Sequence, residues 1–117
     1  MTSQNARWAL LGLSVLLGVL EIADGFRLEL PWMAWFYALL MLGGAFWLWR
    51  RSTRGPVILL GALHLMELLM LLLVFRTADQ APPTWLFLVF VAVTACGTAA
   101  AAAALALDRG RVATADG

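Results

Sequence analysis

The sequence predicts an all-α integral membrane protein: a four-helix transmembrane bundle, up-down-up-down, with both termini cytoplasmic. Three observations predict it. Of the 117 residues, 63% are hydrophobic and only 13% are charged, about half the charge that a soluble domain carries. Four apolar runs each reach the ~20 residues that a helix needs to cross hydrocarbon at ~1.5 Å per residue. The charged residues gather mostly at the ends of those runs. Strands are excluded on physical grounds: backbone groups in lipid must be satisfied within a helix or a closed barrel. Four segments without apolar–polar alternation cannot close one.

The expected spans are 8–26, 32–49, 56–75 and 83–107, within one transmembrane domain, 1–117. Trp8 opens the first and Phe26 closes it. Arg7 followed by the run from Trp8 to Leu20 also has the form of a signal peptide, with Ala23-Asp24-Gly25 as a cleavage site. Continuation to Phe26 and the short distance to the next span favour a retained helix. Pro31 opens the second span, Gly55-Pro56 the third and Pro82-Pro83 the fourth, near first-turn positions where a missing N–H costs little. The fourth run has residues to spare and can tilt. Loops of a few residues make consecutive helices antiparallel neighbours.

Orientation follows from the arginines, which supply all eight basic residues. Arg7, Arg50, Arg51, Arg54, Arg109 and Arg111 fall on one side, and Arg27 and Arg76 on the other beside Asp24, Glu29 and Asp79. Basic loops stay inside, so both termini and the second loop are expected in the cytoplasm, in a cell inner (plasma) membrane. Trp32, Trp35, Phe75 and Trp85 mark one interface, and Trp8, Trp47 and Trp49 the other, as amphipathic rings prefer. Abundant Ala, Gly and Arg without Lys suggest a GC-rich bacterial genome.

Ionisable residues inside an apolar span are costly, so each is a candidate functional group. His64 and Glu67 lie three apart on one face of the third span. Glu21 lies within the first, with Asp24 one turn beyond. Counted from the cytoplasmic ends, His64 sits at about 12 Å, Glu67 at about 16 Å and Glu21 at about 20 Å. Tyr37 reaches a similar depth, and Thr94 is not far away. The candidate ion- or proton-binding residues are therefore Glu67, His64, Glu21, Asp24 and Tyr37. Acidic and imidazole groups of this kind relay protons, and His64, Glu67 and Glu21 together have the donor types of a divalent metal site.

A plainer role competes with each. His64 and Glu67 can lock neighbouring helices by hydrogen bonds averaging about 0.6 kcal/mol. Glu21 and Asp24 can reach the interface, Tyr37 can serve as a belt residue, and Thr94 can bond its own helix backbone. Ser14, Gly18, Glu21 and Gly25 form a small and polar seam, the mark of close helix approach. Gly61, Ala95 and Ala99 are expected to pack in the same way.

These features imply a small polytopic protein with the bilayer and a homo-oligomer or larger membrane complex as partners, and no nucleic-acid motif. The role expected is an accessory or scaffolding subunit acting through helix–helix packing. A homo-oligomeric proton- or cation-coupled transporter or channel built on the Glu/His layer is the alternative, and an intramembrane metal or redox protein ranks below both. No cofactor is implied. Catalysis is not expected, because there is no paired His, no nucleophile elbow and no soluble loop to hold a substrate. Cys96 has no activating base nearby in sequence and reads as a small apolar filler. The residues around Glu21 carry no family signature, and size with span count alone is analogy.

Overall fold

A computed structural model describes residues 2–27, 31–75 and 83–116. Four helices account for almost all of them: α1 (Ser3–Gly25), α2 (Trp32–Arg50), α3 (Arg54–Met70) and α4 (Thr84–Asp116). A five-residue π-helical turn, Leu71–Phe75, extends α3. Each helix is long and apolar enough to cross a membrane, and among the described residues there is no strand.

The helices depart most from the expected spans at the start of α1, the last turn of the third span and the end of α4. α1 starts five residues before Trp8, at Ser3, where the Thr2 side chain caps the helix by accepting from the Asn5 amide at 3.1 Å. Such a cap satisfies one of the orphan donors of a first turn. The last turn of the third span is π-helical, a local widening that composition does not announce. α4 runs past 107 to Asp116, and its 33 residues span about 50 Å, close to the 54 Å long axis of the molecule. Pro56 falls in the first turn of α3, where it removes no helical hydrogen bond. Glu29, Arg76, Asp79 and Pro82 lie outside the described residues, as do the side chains of Phe75, Arg109 and Arg111.

Close approaches between helices fix their order and direction. Gly18 lies against Leu42 and Gly25 against Trp35; Gly44 meets Leu60 and Gly55 meets Trp47; Gly61 abuts Ala101. Along each such pair one number rises as the other falls, so α1 and α2 are antiparallel, as are α2 and α3. Ser3 donates to the Ala104 carbonyl at 3.4 Å, and further along Ser14 and Gly97 both lie against His64, so α4 is antiparallel to α1. α1 and α3 therefore occupy opposite corners, each flanked by α2 and α4. The core between them is Leu10, Leu17, Met41, Val57, Leu60 and Leu71, none more than 2% exposed, with Phe90 and Ala104 from α4.

One end of the bundle is tied by polar contacts. Arg7 donates to the Ser52 carbonyl at 2.6 Å and to its hydroxyl at 3.0 Å. It also pairs with Asp108, which accepts from Ser3 as well. One arginine thus joins α1, the α2–α3 loop and α4.

The seam on α1 is oriented as the sequence implies, since Ser14, Gly18, Glu21 and Gly25 are all buried. On α4 the alanines expected to pack lie outside the core of the single chain. Ala95 and Ala99 are exposed, and the inward stripe is Phe90, Val93, Thr94, Gly97, Ala101 and Ala104. Cys96 is exposed too, so it fills no core space. From 92 to 104 the helix is almost all small residues, so this stretch has little intrinsic inner face and its rotation is set by its neighbours' shapes. At Gly61 an added Cβ would lie 2.7 Å from Ala101 Cβ, whereas Gly43 has nothing within 4 Å. Gly61→Val is expected to lower the stability of the bundle by about 1–3 kcal/mol through overpacking, with Gly43→Ala near neutral. Thermal unfolding of both variants in the same detergent measures the difference.

Candidate functional site

The candidate residues meet on the diagonal between α1 and α3. Ser14 faces His64 across it, with Oγ and Nε2 3.0 Å apart. His64 is fully buried, and its ring lies flat against the backbone of α4 at Gly97, where any Cβ would collide with Nδ1, Cγ and Cε1. Gly97 is thus the notch that admits the imidazole. Sequence reading passed over it, although it is the one glycine between 84 and 107.

One turn along α3, Glu67 is buried at 8% exposed, and Glu21 of α1 is buried at 6%. Tyr37, buried on α2, donates its hydroxyl to the Leu63 carbonyl, which corrects the belt reading and fixes α2 against α3 at this level. Thr94 is buried and donates to the Phe90 carbonyl of its own helix at 2.8 Å, as its type suggests.

Three helices therefore bring titratable side chains to one buried layer, and α4 brings Thr94 and the Gly97 notch. Two atoms in the layer have no hydrogen-bond partner: Glu21 Oε1 and His64 Nδ1. Such atoms are rare in an interior.

Asp24 stands apart from the layer. Its Oδ1 accepts from Arg27 Nε at 2.8 Å, an i,i+3 ion pair at the helix end. Next to it, Trp35 stacks its indole over Gly25 and donates Nε1 to the Ile22 carbonyl at 3.2 Å. The expected metal set is not brought together. No three His, Cys, Asp or Glu side chains among the described residues are grouped as metal ligands. His64 is already placed by other contacts: its Nε2 lies 3.0 Å from Ser14 Oγ and its ring face packs on Gly97.

Fold and site together define a class: an all-helical bundle of four membrane-length helices with a buried Glu/His layer on its diagonal. No protein-family model, curated protein or solved structure matches the chain.

Gly97→Ala is expected to push His64 off its seat, break the Ser14 contact and cost about 1–3 kcal/mol. Ser14→Ala, which leaves the packing intact, is expected to cost about 0.6 kcal/mol. Equilibrium unfolding of the two variants tests the order; equal losses would contradict the notch.

Proposed function

We propose that this chain is an accessory or scaffolding subunit of a larger assembly in the plasma membrane, binding its partner through the outer face of α4. The observation that carries this reading is the strip Ala92, Ala95, Cys96, Ala99 and Ala102, all exposed along one side of that helix. Its spacing repeats at three and four residues, and small side chains in such a row let another helix approach closely. The ionisable layer supports the same reading, because it is turned inward and joins the helices of one chain to each other.

The alternative is a homo-oligomeric carrier of protons or cations, favoured by the two unpartnered buried atoms, Glu21 Oε1 and His64 Nδ1. The two readings separate at Cys96, which lies in the strip. Mild thiol oxidation in native membranes is expected to give no Cys96–Cys96 dimer. Purification in mild detergent is expected to retain a second protein in fixed ratio. Ala95→Leu and Ala99→Leu are expected to reduce that ratio at least tenfold with thermal stability unchanged. A disulfide-linked homodimer, with proton flux in proteoliposomes that needs Glu67, would replace the accessory role with the carrier.

In the orientation we propose, both termini and the arginine-rich loop after α2 are cytoplasmic, on the positive-inside argument. In a Cys96→Ala background, a membrane-impermeant thiol reagent added to intact cells is expected to label Gln80→Cys and not Ser52→Cys. The opposite pattern inverts the orientation.

A further inference from the structure

We propose that the α2–α3 loop binds the headgroup of an anionic phospholipid through Arg50, Arg51 and Arg54. The inference goes beyond the accessory role and needs only that the four helices cross a bilayer. No Asp or Glu falls between positions 30 and 66, so α2, the loop and most of α3 have no negative charge of their own. Three arginines fall within five residues in this stretch, and all three are exposed. Among the described residues, none of them makes an ion pair or a side-chain hydrogen bond. Arg7 at the same end differs, because its charge is met by Asp108.

The loop that presents them is held in place. The Arg51 amide donates to the Trp47 carbonyl and the Thr53 amide to the Arg51 carbonyl, each at 2.8 Å. Arg7 ties Ser52 to α1 by its carbonyl and its hydroxyl. A site ordered in advance loses less freedom when a ligand arrives. The start of α3 opens at the same place. The first N–H groups of a helix have no partner within it, and Thr53, the N-cap residue, supplies none from its side chain. Such a helix end adds to the attraction for a phosphate, and each arginine fork can meet two phosphate oxygens at once.

Depth selects a lipid over a soluble anion. Trp47 and Trp49 on α2 and Trp8 on α1 are exposed by 43%, 59% and 52%, and amphipathic rings of this kind take the level of the membrane interface. Arg50 and Arg51 follow the α2 rings within about 6 Å along the chain axis. Gly55 carries the start of α3 to the same level, since a Cβ there would lie 3.1 Å from the Trp47 ring. Unpaired cations just beyond a tryptophan belt meet lipid phosphates, and basic clusters beside spanning helices recognise anionic lipid in this way.

The test uses the purified full chain in phosphatidylcholine vesicles, with brominated phosphatidylglycerol or brominated phosphatidylcholine added to quench nearby tryptophans. Each arginine is expected to contribute about fivefold to a preference for phosphatidylglycerol. Arg50→Gln/Arg51→Gln/Arg54→Gln is expected to abolish that preference and to leave the melting temperature in pure phosphatidylcholine unchanged. Arg27→Gln, which removes a positive charge beyond the far end of α1, is expected to keep it. Equal quenching of the native chain by the two lipids would overturn the proposal without any variant. So would a preference that survives the triple substitution, one lost equally in Arg27→Gln, or one erased by millimolar inorganic phosphate, the mark of a site for a soluble anion. No partner protein enters the measurement, so its outcome is independent of the α4 strip.

Discussion

Apolar outer faces on all four helices leave one place for a polar side chain, the narrow space between them, and the rest of the structure is arranged around filling it. A hydrocarbon-facing surface offers no hydrogen bonds, so His64, Glu67, Glu21 and Tyr37 must find partners on neighbouring helices or remain unsatisfied. His64 finds Ser14 and Tyr37 finds the Leu63 carbonyl, while Glu21 Oε1 is left without a partner. These contacts run between helices that are not consecutive, or from one helix to another's backbone. They therefore select one packing arrangement from several that leucine contacts alone would permit.

Small residues make that arrangement possible. An imidazole at the centre of a four-helix bundle needs room, and the room comes from Gly97 on the helix it touches. The same exchange of bulk for space recurs at Gly18 with Leu42, at Gly44 with Leu60 and at Gly25 with Trp35. Helix association in lipid gains little from hydrophobicity, because lipid chains are as apolar as leucine, and close packing of this kind supplies the attraction. At the end of the bundle marked by Arg7, charge takes over. Arg7 draws Ser52 and Asp108 together and fixes where α4 crosses α1.

A large part of this was legible in the chain. Span number and placement follow from run length and breakers, since Pro31, Pro56 and Pro83 end apolar runs in a way that few other residues do. The inner face of α1 was legible because Ser14, Gly18, Glu21 and Gly25 repeat at helical spacing among larger residues. The face of α4 was not. Alanines crowd its second half, so the pattern has little contrast, and which of Ala95, Ala99, Ala101 and Ala104 face the bundle was not readable. The π turn after Met70 was equally silent, because Leu71 to Phe75 has the composition of any apolar helix.

The sequence by itself determined that four apolar helices exist, where they break, and which of them carry ionisable groups at similar depth. Those properties depend on composition and on the fixed rise of a helix, both of which are local. Only the tertiary structure decided which groups meet. It paired Ser14 with His64, gave Asp24 to Arg27 and turned the alanine strip of α4 outward. Such choices depend on the rotation of each helix about its axis. That rotation is set by the fit of one surface into another, His64 against Gly97 and Ala101 against Gly61, which no single helix encodes.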